Sequence, residues 1–325
     1  MFEETTLEGK LTLRNRIVFS PYIEYQANKN GTISTHMADF YLQMAREGVG
    51  LMIMESAYVT QQGRAHTNQL GISTENHVEG LSRLIKNMHE EGAKVALRLA
   101  HAGARTSEMV AGEQPVAPSS INFGKDYDPS REFDDGDIEE IILFFVHAAE
   151  RAEECGADLI EINGGQMYLL DQCTSGRINN RADNYGGNIE QRMNLAVEII
   201  KAIKSRVSPQ MPISYMFSIH DKLEDGFDSN ELKGMIKALN SAKVDFYHPV
   251  SIHVLNKFFD TEETLVEWVG KLGKKSIIAD GNIKSPQILK EAMSLYKSQL
   301  FALDKVIFTR PNWYSFLKKK IPPPQ

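Results

Sequence analysis

The sequence predicts an α/β fold, a single (β/α)8 TIM barrel, and three observations support this prediction. Eight short aliphatic runs recur along the chain, and segments with apolar residues at helical spacing separate them. Most of the runs are almost continuously apolar, which is typical of strands buried on both faces of a parallel sheet. Eight strands that alternate with helices favour a closed barrel, and a doubly wound sheet is the alternative.

The predicted strands are separated by segments that read as helices. The helix before the fourth strand begins at Asp134–Asp137, because acidic side chains suit a helix N-terminus, and it ends at Gly156. Its apolar residues from Ile138 to Ala149 repeat at helical spacing, so one face is expected to be buried. The eight predicted strands are Arg16–Ser20, Val49–Met54, Lys94–Leu99, Ala157–Ile162, Pro212–Phe217, Val244–Val250, Ser276–Ala279 and Lys305–Phe308.

The whole chain, residues 1–325, is expected to form one domain, since barrels routinely exceed about 200 residues. A similar helix-to-strand joint precedes three different strands, at Glu91–Ala93, Cys155–Asp158 and Ala242–Asp245. The irregular stretch Gly103–Arg131 is interpreted as one long loop after the third strand. Such loops build the active sites of barrels at their C-terminal face, so candidate residues are sought at the ends of strands.

Composition and charge exclude several classes of protein. The net charge of −7, from 43 acidic and 36 basic residues, opposes binding to nucleic acid. Two cysteines cannot hold a disulfide framework or a four-thiolate cluster, and they favour a reducing, cytoplasmic location. Neither a signal peptide nor an apolar stretch of about 18 residues is found, so we expect no export and no membrane span. No HExxH motif or paired cysteine spacing predicts a metal site.

A first group of candidate residues follows the seventh and eighth predicted strands, where barrels often bind phosphate. Gly281 and Asn282 would let backbone amides approach a phosphate, and Arg310, after Thr309, could bind its oxygens through the guanidinium. The alternative is structural and explains these residues equally well: Gly281 would form a tight turn, and Arg310 would lie on the surface and pair with a carboxylate.

A second group follows the fourth predicted strand. Asn163, Gln166 and Tyr168 supply two amides and a phenol, which together could bind and protonate a ligand that contains a carbonyl group. The alternative is structural, because the amides could cap the next turn and a tyrosine at the edge of a core usually has its hydroxyl satisfied.

Five motifs occur in order along the chain, and they are Leu13–Val18 with Ser20-Pro21, Leu99–Gly103, Pro115–Ser119, Tyr168–Leu170 and Asn180–Gly187. This set resembles the old yellow enzyme family of FMN-dependent oxidoreductases, from about Leu11 to about Arg310. The resemblance implies a TIM barrel with non-covalent FMN at its C-terminal mouth. It also implies NADH or NADPH as the reductant, a small molecule as the substrate and a tendency to form homo-oligomers.

The resemblance implies roles for individual residues. Tyr168 matches the tyrosine that protonates the substrate carbon opposite the one that accepts hydride, and a phenol, with a pKa of about 10, is protonated at neutral pH. Residues at cofactor-binding positions are Ser20, Pro21, Ile23, Ser56, Arg98, Met216, Gly281, Asn282, Thr309 and Arg310. Residues at substrate-binding positions are Tyr25, His101, Asn163 and Gln166.

Several of these positions depart from the family pattern. Asn163 and Gln166 stand where relatives have His-x-x-His or His-x-x-Asn, which bind the carbonyl oxygen of the substrate. Neutral amides can also bind this oxygen, with hydrogen bonds that contribute roughly 0.5–1.5 kcal/mol each. Unlike an imidazolium, they cannot donate a charge-assisted hydrogen bond. Ile23 replaces a Cys or Thr that bonds to the flavin, and Thr309 replaces the glycine before the phosphate-binding arginine. These changes indicate an unusual acceptor more than a loss of flavin.

A further departure concerns Arg98 and Met216, which stand where relatives have Gln and Arg. A cation near the pyrimidine side of the flavin favours its reduced state. We therefore predict that Arg98 replaces the missing arginine from a neighbouring strand. The alternative is that Arg98 forms an ordinary ion pair with Glu55 or Glu161.

The leading hypothesis is an FMN-dependent NAD(P)H oxidoreductase that transfers hydride in a ping-pong cycle to a small electron-poor acceptor, such as an activated alkene or a quinone. The alternative from another class is a flavin- or nucleotide-binding barrel that has lost turnover and serves as a sensor or partner module. A flavin-free lyase or aldolase is disfavoured because no lysine stands at the C-terminal end of a predicted strand. The acidic charge disfavours the tRNA-acting flavin barrels.

Overall fold

Eight parallel strands close into a barrel in the computed structural model, which describes residues 1–21, 25–219, 226–296, 299–310 and 312–321. The strands are β1 (Thr5–Leu7), β2 (Leu11–Leu13), β3 (Ile17–Phe19), β4 (Leu51–Ile53), β5 (Ala57–Tyr58), β6 (Lys94–Ala100), β7 (Val116–Ala117), β8 (Arg131–Glu132), β9 (Leu159–Gly164), β10 (Ile213–Ser218), β11 (Phe246–Val250), β12 (Ser276–Ile283) and β13 (Leu300–Leu303). The barrel runs β3-β4-β6-β9-β10-β11-β12-β13, and β13 pairs with β3 to close it. The predicted (β/α)8 fold is confirmed.

The helices pack their apolar faces on the outside of the sheet. The helix predicted to begin near Asp134 does begin there, because the Asp134 side chain accepts a hydrogen bond from the amide of Asp137. After the helix, the chain turns away at Gly156, which has φ +85°. The helices are α1 (Thr35–Arg46), α2 (Val78–Glu90), α3 (Glu108–Ala111), α4 (Asp135–Glu154), α5 (Leu169–Thr174), α6 (Ile189–Arg192), α7 (Asn194–Arg206), α8 (Ser229–Ser241), α9 (Leu265–Gly273), α10 (Pro286–Leu295), α11 (Lys305–Phe308) and α12 (Trp313–Lys320).

One predicted strand is wrong. Seven of the eight predicted runs overlap barrel strands, but Lys305–Phe308 is helix α11, and the eighth strand is the preceding apolar run, Leu300–Leu303. Asp304 separates the two runs, and its side chain accepts a hydrogen bond from the amide of Val306. This cap starts a helix directly after the strand.

Apolar side chains fill the barrel interior on the side of the strand N-termini. The β1–β2 hairpin belongs to the same apolar cluster, and Glu8 at its turn accepts a hydrogen bond from the amide of Ser276 at the start of β12. The hairpin therefore covers the N-terminal end of the barrel. The cluster consists of Leu7, Leu11, Leu13, Val18, Leu51, Ile53, Ala96, Leu159, Phe246, Ile278, Leu300 and Ala302.

The predicted long loop follows the third barrel strand, β6, and contains α3, β7 and β8. β7 pairs with β8 in parallel, with Val116 opposite Arg131, so the loop folds back on itself. Arg105, near its start, donates to the backbone oxygen of Gln166 after β9 with Nη1 at 2.8 Å. This bond places the loop beside the C-terminal mouth of the barrel. Across the residues that the structure describes, no helix is both long and apolar enough to cross a membrane.

Candidate active site

Arg98 lies inside the barrel, two residues beyond the apolar residue Ala96 on β6. Its side chain is 2% exposed, and its Nε donates to Oε1 of Glu161 at 2.7 Å. Nη1 donates to the backbone oxygen of Pro21 at 3.0 Å, and Nη2 donates to Oγ of Ser20 at 2.9 Å. Glu161, rather than Glu55, is therefore its carboxylate partner, and the guanidinium also ties β6 to the end of β3.

Polar side chains of the neighbouring strands continue this layer. Glu161 accepts from Ser214 Oγ at 3.1 Å and from His248 Nδ1 at 2.7 Å, while His248 Nε2 lies 3.2 Å from Oδ2 of Asp280. Burial acts to raise the pKa of Glu161, but the charges of His248 and Arg98 outweigh it and hold the pKa at about 2. Burial alone would lower the pKa of His248, yet the two carboxylates raise it.

A cleft opens above this polar layer at the C-terminal mouth of the barrel. Its empty volume is about 960 Å³, part of which is open to solvent. Arg98 lines it from the interior, and the strand ends and the segments that follow them form its walls. The lining residues are Phe19, Ser20, Pro21, Arg98, Gln166, Met216, Ser218, Val250, Asp280, Asn282, Leu303, Asp304 and Lys305.

The cleft offers surfaces that suit a flat, partly anionic ligand. The buried guanidinium of Arg98 faces it on one side, and the exposed Lys305 lies at its rim. Asp280 and Asp304 are also in its walls, but each carboxylate already has a donor, from His248 and from the amide of Val306. The apolar parts of the walls come from Phe19, Pro21, Met216, Val250 and Leu303, and the other lining residues are polar and uncharged.

The structure separates the residues that the sequence predicted for a phosphate site. Asn282 lines the cleft with φ +52°. A Cβ at Gly281 would stand 2.6 Å from the amide nitrogen of Val254, so this glycine lets the loop after β11 pack against β12. Thr309 and Arg310 lie exposed at the end of α11, outside the lining of the cleft, and the Arg310 guanidinium lies 3.7 Å from the centre of the Phe316 ring.

Lys305 is the cation that sequence reasoning missed in this region. Because Lys305–Phe308 was predicted as the eighth strand, its first residue was placed at the far end of the barrel from the mouth. The strand instead ends at Leu303, so Asp304 and Lys305 come directly after it and line the cleft. The apolar run from Leu300 to Leu303 was the available signal.

A smaller chamber lies beside the cleft, with an empty volume of about 170 Å³ but no room for a water molecule, and it is lined by Tyr25, Glu55, Ser56 and Tyr168. The hydroxyl oxygens of Tyr25 and Tyr168 are 3.3 Å apart, and the Tyr25 amide donates to Oε2 of Glu55 at 2.9 Å. The ring of Tyr25 stacks on His66 with a centroid distance of 4.2 Å. Burial raises the pKa of Tyr25, so its hydroxyl keeps its proton at neutral pH.

Asn163 and Gln166 connect the two spaces. The Asn163 amide nitrogen donates to Ser56 Oγ and to Gln166 Oε1, both at 2.9 Å, and its oxygen accepts from the amide of Gly165 at 3.0 Å. Both polar atoms of the Asn163 side chain therefore bond to other protein groups, which agrees with the alternative in which the amides cap the next turn. Gln166, with φ +62°, lines the cleft.

The other predicted residues fall outside these two groups. His101 is buried, its Nδ1 accepts from the amide of Gly103 at 3.1 Å, and burial lowers its pKa to about 4, so it is neutral. Its ring packs against Gly63, where a Cβ would stand 2.5 Å from Cδ2. Ile23 lies outside the described residues. Arg105 was not predicted, although it follows the Leu99–Gly103 motif; its Nη2 donates to the Tyr127 hydroxyl at 3.2 Å.

Comparison with solved structures places the fold among the old yellow enzymes. An old yellow enzyme from Pichia sp. AKU4542 superimposes with a TM-score of 0.82 at 21% identity, over 99% of this chain and 87% of that one. An old yellow enzyme homologue from Zymomonas mobilis has a TM-score of 0.79 at 23% identity, over 93% of this chain and 88% of that one. At these identities the likeness concerns the fold.

Sequence comparison finds relatives with a higher sequence identity than these structures. An NADPH dehydrogenase of Clostridium acetobutylicum is 33% identical over 96% of this chain and 92% of its own length. An NADH oxidase of Thermoanaerobacter brockii is 34% identical over 94% of this chain, which spans about half, 48%, of that relative. The model of the NADH:flavin oxidoreductase / NADH oxidase family matches residues 1–323. The chain belongs to this family, the old yellow enzyme type of FMN-dependent oxidoreductase.

Proposed function

We propose that this protein holds FMN non-covalently in the cleft at the barrel mouth and uses NADH or NADPH to reduce a small, electron-poor acceptor. The observation that carries the proposal is the cleft itself, which has a buried guanidinium on its inner side and a chamber with two phenols beside it. Bound FMN would supply the two-electron chemistry, accepting hydride from the nicotinamide and passing it to the acceptor.

The residues that line the cleft fit this cofactor. Arg98 supplies a fixed cation on the inner side, and its bonds to Ser20 and Pro21 hold it in place. Apolar side chains such as Met216 would cover the flat ring system, and Lys305 is the cation that would bind the phosphate. Each carboxylate in the walls already accepts a hydrogen bond from a protein donor, Asp280 from His248 and Asp304 from the amide of Val306.

Tyr168 is proposed as the proton donor to an activated alkene. Its hydroxyl lies 3.3 Å from that of Tyr25, and phenols keep their protons at neutral pH. Tyr25 orients the Tyr168 hydroxyl and is protonated itself, because burial raises its pKa. Both hydroxyls of the pair therefore carry a proton at neutral pH, and that of Tyr168 is the one proposed to be donated to the alkene.

The acceptor is proposed to contact Gln166, whereas Asn163 acts through its neighbours. The Asn163 amide bonds to Ser56 and Gln166 and so fixes both side chains at the boundary between the cleft and the chamber. An oxygen held by neutral amides gains less charge stabilisation than one held by an imidazolium. The proposed acceptors are therefore compounds that are already electron-poor, such as quinones and strongly activated alkenes.

The test is a pair of anaerobic half-reactions measured by stopped flow. NADPH or NADH should bleach the oxidised-flavin absorbance of the FMN-loaded protein, and a small α,β-unsaturated ketone or a quinone should restore it. Tyr168→Phe should slow recovery with the ketone and leave bleaching unchanged. Tyr215→Phe is the matched control, since this buried hydroxyl makes no hydrogen bond within the described structure. A flavin that neither nicotinamide bleaches would overturn the proposal.

A further inference from the structure

The imidazole of His248 lies between two carboxylates beneath the cleft. Nδ1 is 2.7 Å from Oε2 of Glu161 on β9, and Nε2 is 3.2 Å from Oδ2 of Asp280 on β12. The His248 and Glu161 side chains are 0% exposed, whereas that of Asp280 is 21% exposed and lines the cleft. His248 thus connects a fully buried carboxylate to one at the cleft wall.

The geometry determines the protonation of the ring. Ionised carboxylate oxygens only accept hydrogen bonds, so a ring nitrogen beside one must carry a proton to bond to it. A neutral imidazole has one N–H, and its other nitrogen would then set a lone pair against a carboxylate. Only the imidazolium, with both nitrogens protonated, satisfies Glu161 and Asp280 at once. Ser214 of the adjacent strand β10, which also bonds to Glu161, is uncharged.

The charge beneath the cleft depends on this proton. Arg98 and an imidazolium contribute two positive charges, and Glu161 and Asp280 contribute two negative charges, so the layer is neutral. With a neutral imidazole the same layer would carry one net negative charge. In a buried site this charge would act strongly on any anionic group placed above it.

We propose that His248 is a positioning residue of the flavin site: as an imidazolium it offsets one of the two negative charges of Glu161 and Asp280, so that together with Arg98 the layer beneath the cleft is neutral rather than negative. A neutral layer does not oppose the negative charge that a flavin gains on reduction, whereas a layer with one net negative charge would. A cation beside a flavin favours its reduced form, which carries more negative charge. This inference rests on the proposed binding of FMN.

The proposal is tested by variants that move the charge in opposite directions. His248→Gln makes the layer one unit more negative and should weaken binding of reduced relative to oxidised FMN at least tenfold. This is a fall of about 30 mV in the two-electron potential of the bound flavin. Asp280→Asn makes the layer one unit more positive, because Glu161 keeps the imidazolium protonated, and should raise the potential. The double variant restores neutrality and should return close to the wild-type value.

The potentials are measured by equilibration with a reference dye. Damage to the fold would shift both single variants in the same direction and would not be repaired by combining them. Opposite shifts with recovery in the double variant support the proposal. Shifts of the same sign, or a change of less than about twofold in the ratio of affinities for His248→Gln, would overturn it.

A second measurement needs no FMN and so separates this inference from the proposed function. The ring nitrogens of His248 are observed by NMR in the flavin-free protein at neutral pH, and the signal is assigned by its change in Asp280→Asn. Two protonated nitrogens are expected. A neutral tautomer would overturn the proposal even if FMN binds, whereas an imidazolium in a protein that binds no flavin would leave the charge assignment intact and refute the proposed function.

Discussion

Replacing Arg98 with Met removes one member of a fully buried ion pair and leaves Glu161 charged. The Arg98 and Glu161 side chains are 2% and 0% exposed, so water cannot replace the lost donor. Glu161 keeps its bonds from Ser214 and His248, but its Oε1 loses Arg98 Nε, and Ser20 and the Pro21 carbonyl lose their donors too. Removal of one partner from a buried pair costs about 3–5 kcal/mol, and we expect a loss in this range.

Arg46→Met is the matched control. Arg46 Nε donates to Oε1 of Glu91 at 2.9 Å, which is nearly the distance in the buried pair, but these side chains are 63% and 36% exposed. An exposed pair of this kind contributes about 0–1 kcal/mol. The difference between the two variants therefore isolates the effect of burial at constant chemistry.

Both variants are compared with the wild type by urea unfolding of the flavin-free protein, because bound FMN would add its own stabilisation. Arg98→Met should lower the free energy of unfolding by several kcal/mol with little change in the slope against urea. Equal, small losses in Arg98→Met and Arg46→Met would refute the view that the buried guanidinium holds this layer together.

Three further predictions concern the cleft and its surroundings. Tyr168→Phe should reduce the rate of alkene reduction by roughly 10²–10⁴-fold without slowing flavin reduction by NADPH, whereas Tyr215→Phe should change neither rate in stopped flow. Lys305→Ala should weaken FMN binding by roughly ten- to hundredfold in fluorescence titrations, and Arg310→Ala, outside the cleft lining, by less than about twofold. The pKa of His101 is lowered to about 4 by burial, so the unfolded chain takes up a proton between pH 6.5 and 4 that the folded protein does not. The titration of His101 should therefore lower the free energy of unfolding by about 2 kcal/mol between pH 7 and pH 5. In urea unfolding, the His101→Gln variant should lack this decrease.

The sequence predicted the barrel because its strands are buried on both faces and so form continuous apolar runs. The predicted position of the eighth strand was wrong for a local reason. Leu300–Leu303 is wholly apolar and Lys305–Phe308 is apolar after its first residue, and periodicity cannot distinguish a four-residue strand from one helical turn. Asp304, which caps α11, was the residue that distinguished them. Because of this error, Lys305, which lines the cleft, was not among the candidates for the phosphate site.

The site was predicted less completely, because its contacts depend on strand register. Arg98 and Glu161 were named together, and the parallel pairing of β6 with β9 sets them side by side. The position of His248 between Glu161 and Asp280 follows from three strands far apart in sequence. Polar residues inside otherwise apolar strands were the signal for this layer. Self-association and a cytoplasmic location stay predictions.

We expect the cleft at the barrel mouth to hold a redox-active flavin. The most direct test is the visible spectrum of the purified protein after incubation with FMN and removal of the excess, followed by anaerobic titration with NADPH and NADH. The expected result is the absorption bands of oxidised flavin at one FMN per chain, and the bleaching of these bands by a nicotinamide. A colourless protein that retains no FMN would contradict it.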